Sequence, residues 1–271
     1  MNEKRFENRD LHSQPFKDGL IDVPAKRFSV DNPDQEQGEP RMIKQFKNDP
    51  ERIVKISRKE NIYRFSPVII KRFENDPERK ENIYHFSPEE VASVESAQTM
   101  EIQDEAKKHF EELEDKYGIS VAPFEYKIGF DEESNENVLY CISDKIHGDN
   151  LITKLKEKYF NNRIGDVEKL LISLTSYFKD KYKEGNYYLG DVANLGNYIY
   201  GRRKDEKEDK LYLIDTEPVL VGLKTPQEKE FFNKRVLGVL LSHIEYVEKE
   251  TGKELVGVHK EYADLVENTK V

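Results

Sequence analysis

The sequence lacks the features of a membrane-spanning or disulfide-stabilised protein. No apolar run approaches the roughly 18 residues of a membrane span, and the N-terminus has no apolar signal-peptide core. The 271 residues include one cysteine, Cys141, which excludes an intrachain disulfide. Cys141 lies in the apolar run 138–142, a setting typical of a buried and unreactive thiol. We therefore expect a soluble, cytoplasmic protein.

Glycine is missing from a long stretch of the first half of the chain. None occurs between Gly38 and Gly118. Glycine lets backbone approach a phosphate closely, and phosphate-binding loops depend on that approach. The gap therefore excludes a glycine-rich phosphate loop from this stretch.

The charge of the chain is acidic and its composition is polar. The formal net charge is −10, and charged residues and hydrophobic residues each make up 36% of the chain. An acidic protein is a poor match for nucleic acid or for an anionic membrane surface, so we expect neither as a partner. So polar a composition also predicts that part of the chain is disordered.

A duplicated motif is the most specific pattern in the N-terminal third. Residues 44–52 (KQFKNDPER) match residues 71–79 (KRFENDPER), and residues 58–67 (RKENIYRFSP) match residues 79–88 (RKENIYHFSP). One hypothesis is a tandem docking motif in which a Phe beside basic residues binds a protein partner, so that repetition adds avidity. The alternative is a duplicated linker with no binding role.

Hydrophobic periodicity divides the chain into four segments. We predict a disordered tail at 1–48 and a repeat-bearing segment at 49–93, which is either a linker or a set of rudimentary strands. Segment 94–149 has the pattern of one helix followed by a β-hairpin. Segment 150–271 is mainly helical, but it includes two short apolar runs around a charged turn, which predict a second hairpin.

Carboxylates and amides cluster in sequence around that second hairpin. Asp191 precedes its first strand, Asn194 and Asn197 follow Asp191, and Asp215 ends its second strand. Hard oxygen ligands held at strand ends are what a divalent cation and a phosphate chain require. If Asp191 and Asp215 share a cation, their carboxylates should converge within roughly 8 Å. The alternative is that both are ordinary turn carboxylates bonded to nearby backbone.

The order of these residues resembles the protein-kinase-like superfamily, in its aminoglycoside-phosphotransferase and small kinase-like branch, over roughly residues 95–250. The resemblance implies that Asp191 is the catalytic Asp and that Asn197 and Asp215 hold Mg²⁺ beside ATP. It also suggests Lys71 as the lysine that contacts the nucleotide phosphates and Glu105 as its helical partner. Where the family has a His or Arg before the catalytic Asp, this chain has 189–190 (Leu-Gly), so the version is reduced or degenerate.

The resemblance implies an α+β fold in which a small β-rich N-terminal lobe with one helix packs on a mainly helical C-terminal lobe. The implied function is transfer of the ATP γ-phosphate to an acceptor hydroxyl with Mg²⁺. A second hypothesis is a non-catalytic kinase-like module that presents the duplicated motif to a partner. A third is an unrelated α+β interaction domain whose Asp residues are structural.

Overall fold

The computed structural model describes residues 20–22, 43–57, 103–131 and 136–269. These form a mixed fold of helices and antiparallel sheets, which confirms the α+β class. The strands are β1 Leu20–Asp22, β2 Ile43–Phe46, β3 Arg52–Ser57, β4 Phe124–Asp131, β5 Glu136–Asp144, β6 His147–Asn150, β7 Tyr187–Leu189, β8 Tyr198–Arg202, β9 Lys210–Leu213 and β10 Leu220–Gly222. The α-helices are α1 103–115, α2 Leu151–Leu155, α3 Ile164–Glu184, α4 Pro226–Phe232, α5 Gly238–Thr251 and α6 Val256–Thr269.

The largest sheet has five antiparallel strands in the order β1-β2-β3-β5-β4. The predicted helix and hairpin of segment 94–149 are confirmed as α1, β4 and β5. In the register of the three strands β3, β5 and β4, Lys55 lies opposite Cys141 and Cys141 lies opposite Tyr126. Because cross-strand partners point to the same side of a sheet, these three side chains form a row on one face. Cys141 is buried, as predicted.

The prediction of a disordered tail at 1–48 is wrong where the structure describes that range. Leu20–Asp22 and Ile43–Phe46 pair with each other, and Ile43–Phe46 also pairs with β3. These segments are short, and their order comes from backbone hydrogen bonds to neighbouring strands, which periodicity within one segment does not reveal.

The first copy of the duplicated motif is part of this sheet. It supplies β2, the turn that follows and the start of β3, so its Phe46 lies beside Arg52, with the guanidinium 5.9 Å from the ring centroid. The turn is fixed by the backbone of Asp49, whose carbonyl accepts from the Arg52 N–H at 3.1 Å. Of the repeat segment 49–93, the strand interpretation is confirmed for β3. The second copy and the remainder, Lys71 included, lie outside the described residues.

Most of the core lies in the second half of the chain. Helix α3 is buried along the predicted stripe and contacts β7, β9, α5 and α6. It ends at Gly185, whose φ of +63° gives the left-handed C-cap that favours glycine. Two small sheets pack here, one pairing β7 with β10 and one in the order β6-β8-β9, which confirms the second hairpin. No helix in the ranges that the structure describes is long and apolar enough to cross a bilayer.

Tyr177 of α3 joins three elements through one hydroxyl group. Its ring is fully buried, its oxygen accepts from the Leu189 N–H of β7 at 3.0 Å, and it lies 3.4 Å from Nδ1 of His109 in α1. Burial raises the pKa of Tyr177 well above its ordinary value, so the hydroxyl stays neutral. The hydrogen bond fixes the end of β7, which is the strand that leads into the Asp191 loop.

Replacing Tyr177 by Phe should therefore destabilise the protein by about 1–3 kcal/mol, because the Leu189 N–H would be left buried without its acceptor. Tyr188→Phe is the matched control: Tyr188 is also buried, but its hydroxyl has no hydrogen-bond partner among the described residues. We expect this second change to be neutral or stabilising. Denaturant unfolding of both variants measures the difference, and equal losses would contradict the role given to the Tyr177 hydroxyl.

Candidate active site

Strand pairing brings the predicted site residues to one place. Because Leu189 at the end of β7 pairs with Leu220 at the start of β10, the loop leaving β7 and the segment entering β10 lie at the same sheet end. Tyr198 at the start of β8 pairs with Leu213 at the end of β9. The backbone bond from the Ile214 N–H to the Asn197 carbonyl, 2.9 Å, continues that ladder. The loop with Asp191 and Asn197 therefore lies beside Asp215.

The carboxylates of Asp191 and Asp215 converge, as the sequence predicted. Together with Glu217 they offer three oxygens that lie within 4.8 Å of one another, and all three residues are half-buried. Glu217 is a residue that sequence reasoning missed. The signal was present in the Asp-Thr-Glu order after β9, since residues two apart in an extended segment point to the same side.

The two candidate asparagines have different roles. The Oδ1 atom of Asn194 accepts from the Gly196 N–H at 2.9 Å and caps the short 3₁₀ turn Leu195–Asn197. Asn197 instead donates its amide N–H to the Asp191 carbonyl oxygen at 3.0 Å. That bond fixes the Asn197 amide and uses its nitrogen, whereas a cation would bind the amide oxygen. The structural interpretation fits Asn194, and Asn197 is the one suited to a ligand.

The Asp191 loop is braced from several directions. Gly190 donates its N–H to the Val219 carbonyl at 2.9 Å, and a Cβ there would come within 3.2 Å of the Val219 and Val221 side chains. From β6, Asn150 donates to the Gly196 carbonyl at 2.6 Å. From α5, the Nε2 atom of His243 accepts from the Leu195 N–H at 3.2 Å. The loop is thus held in one conformation by its own backbone and by two neighbouring elements.

A lysine reaches this cluster from the five-stranded sheet, and it is Lys55. Its Nζ lies 2.5 Å from Oδ1 of Asp215 and 3.0 Å from Oε2 of Glu217, and the three side chains are only 10–13% exposed. Lys71, the lysine suggested by the resemblance, lies outside the described residues. The signal for Lys55 was the apolar strand pattern of residues 53–56, in which a lone lysine stands between Val54 and Ile56.

Tyr126 fixes the backbone of the same acidic segment. Its hydroxyl donates to the Thr216 carbonyl at 2.6 Å. Burial, and secondly the negative groups around it, Asp215 and Glu217 among them, raise the pKa of Tyr126 well above its ordinary value. It therefore remains a neutral donor at any physiological pH. Two members of the row on the sheet face, Lys55 and Tyr126, thus hold residues 215–217 from one side.

Glu105, the predicted partner of the nucleotide lysine, pairs within its own helix. Its carboxylate lies 3.4 Å from Nζ of Lys108 and 3.8 Å from Nε2 of His109. The pKa of His109 is lowered, first by burial and then by the nearby Lys181 ammonium, despite the carboxylates around it. The contacts that the structure gives for the Glu105 carboxylate thus lie within α1.

The donor set matches the chemistry of a hard divalent cation. Asp191, Asp215 and Glu217 supply carboxylate oxygens, which suit Mg²⁺ or Mn²⁺ better than a thiolate-binding metal. The carboxylate oxygens lie within 4.8 Å of one another. This separation is compatible with shared ligation, because oxygens on opposite sides of one ion, each at about 2.1–2.4 Å from it, are at most about 4.8 Å apart.

Comparisons with known proteins do not assign the chain to a family. No family model matches it, and no curated protein matches it.

His243 makes the bracing of the Asp191 loop dependent on pH. Burial lowers its pKa from 6.5 to about 4, and its Nδ1 atom is buried with no hydrogen-bond partner in the described structure. The folded protein therefore resists protonation of His243, whereas the unfolded chain protonates near pH 6.5. Stability from this residue is complete above pH 6.5 and is lost as the pH falls towards 4, by about 3 kcal/mol in total.

The variant His243→Gln keeps an acceptor for the Leu195 N–H and does not titrate. We expect denaturant unfolding to show that wild type loses about 3 kcal/mol more than this variant between pH 6.5 and 4. Contributions from other groups, His109 included, cancel in the difference between the two proteins. Parallel stability curves would show that protonation of His243 does not destabilise the fold.

Proposed function

We propose that the protein is a magnesium-dependent phosphotransferase of the kinase-like type, which moves the γ-phosphate of ATP to an acceptor hydroxyl. The observation that carries the proposal is the convergence of three carboxylates and a buried lysine at the ends of paired strands. In the proposed arrangement the five-stranded sheet and α1 form the small lobe. The helical segment from α2 onwards forms the larger lobe.

Each residue of the cluster has a role in the proposed reaction. Asp215, Glu217 and Asn197 hold the cation, which neutralises charge on the phosphates and aligns them when it is bound. Lys55 is the side chain that contacts the phosphate oxygens, which is the role the resemblance gave to Lys71. The glycine gap before Gly118 leaves this contact to a side chain rather than to a glycine-rich loop.

Asp191 acts on the acceptor. Its carboxylate orients the acceptor hydroxyl and takes its proton as the new O–P bond forms. The bond between the γ-phosphorus and the β,γ-bridging oxygen breaks, and ADP leaves with that electron pair. The chemistry requires mainly positioning and charge neutralisation. A loop fixed by Asn150, Asn197 and His243 supplies that positioning without rearrangement.

Nucleotide binding is the first measurable consequence. A ligand that binds the folded state at about 100 times its Kd adds roughly 2.7 kcal/mol of stability. We therefore expect ATP with Mg²⁺ to raise the melting temperature of wild type, and ATP without Mg²⁺ to have a smaller effect. Asp215→Asn should abolish the magnesium-dependent part, whereas Asp205→Asn in the exposed hairpin turn should retain it. No shift in any protein would favour the unrelated interaction domain.

Turnover separates an enzyme from the non-catalytic module. If Asp191 takes the proton, Asp191→Asn should retain magnesium-dependent ATP binding and lose about 10²–10⁴-fold in rate, the usual contribution of a positioned general base. The measurement is release of ADP under saturating ATP, in the presence of a panel of hydroxyl acceptors. Binding without turnover in wild type would instead support the alternative in which a kinase-like module presents the duplicated motif to a partner.

A further inference from the structure

Lys55 lies where a divalent cation would contact the acidic cluster. Its ammonium group bridges Asp215 and Glu217 at 2.5 and 3.0 Å. Those two carboxylates belong to the three whose oxygens lie within 4.8 Å of one another. An ammonium nitrogen and a hard cation seek the same oxygens at similar distances, and two positive charges do not share them without repulsion. The lysine and the cation are therefore alternative occupants of part of this cluster.

We propose that Lys55 is the resident counter-ion of the cation site, and that cation binding displaces it from Asp215 and Glu217. This inference rests on the proposed function, because it takes the acidic cluster to be a cation site. It adds an order of events: the displaced ammonium becomes available to the phosphates only when the cation has taken its place. Metal and nucleotide then bind with positive coupling.

The structure around Lys55 supports a movable lysine on a fixed frame. The backbone of β3 is paired on both sides, with Lys55 opposite Ile43 on β2 and opposite Cys141 on β5. The acidic segment is held independently by the Tyr126 hydroxyl on the Thr216 carbonyl. Release of the ammonium therefore leaves both partners in place, and a lysine has a flexible four-carbon stem with which to move.

Charge balance explains why the Lys55 ammonium is needed when no metal is bound. Three carboxylates in close proximity repel one another, and one ammonium offsets part of that repulsion. Removing the ammonium leaves the cluster more negative, which destabilises the metal-free protein and strengthens its attraction for a divalent cation. Loss of the ammonium therefore lowers the stability of the metal-free protein and raises its affinity for the metal. Because the two effects have opposite signs, they can be measured separately.

The test measures Mn²⁺ binding without nucleotide, by titration calorimetry, in wild type and in Lys55→Met. We expect Lys55→Met to bind Mn²⁺ about tenfold or more tightly, within the usual range of coupling between competing ligands. Lys127→Met, which removes an exposed lysine of β4, controls for the change in net charge and should bind like wild type.

The outcomes separate the two proposals. If Mn²⁺ binds wild type, and binds Lys55→Met no more tightly than it binds wild type, the displacement model is wrong while the cation site stands. If Mn²⁺ binds none of the three proteins, the cation site and the proposed function both fail.

A second measurement uses wild type alone, in case Lys55→Met does not fold. Acetylation of Lys55 by an amine-reactive reagent, followed by mass spectrometry, reports how accessible its amine is. We expect slow modification without metal, at least several-fold faster modification with Mg²⁺, and renewed protection with Mg²⁺ and ATP together. Modification that is unchanged or slower with Mg²⁺, at a concentration that saturates the site, would overturn the proposal.

Discussion

The ion pairs of Lys55 with Asp215 and Glu217 are the contact on which the arrangement of the site depends. They join β3 of the five-stranded sheet to the segment that follows β9, across 160 residues of sequence. Burying carboxylates near one another is unfavourable unless a positive charge accompanies them. In an acidic chain such as this one, a single well-placed lysine has a large local effect.

The loop on the other side of the cluster is held by several hydrogen bonds. Asn194 caps the 3₁₀ turn, Asn197 returns to the Asp191 carbonyl, and His243 and Asn150 approach from α5 and β6. These hydrogen bonds hold the backbone of the loop that carries Asp191. The Asp191 side of the cluster is thus held by hydrogen bonds to its backbone, and the Asp215 side is held by the ion pairs of Lys55.

The sequence was sufficient to locate the Asp191 loop and Asp215, because those positions follow from short-range order. The strands β7 to β10 follow one another closely in the sequence, so few pairings are open to them, and those seen bring the Asp191 loop beside Asp215. Lys55 could not be assigned to the site, because its strand β3 pairs with β5, which lies far along the chain. The strands before residue 48 were not predicted, because with three and four residues they are too short to show an alternating pattern. Glu217 was not predicted, because it lies beyond the apolar run that ends at Asp215 and the resemblance assigns no role to its position.

Lys71, which the resemblance suggested, and Lys55 differ in their relation to the duplicated motif. Residues 53–57 of the first copy have no counterpart in the second, because residues 52 and 58 both match residue 79. Those residues include Lys55. The first-copy counterpart of Lys71 is Lys44, which lies on β2 and pairs in register with Val54. A lysine in the repeated part of the motif thus belongs to the neighbouring strand, and the lysine at the acidic cluster comes from the part that is not repeated.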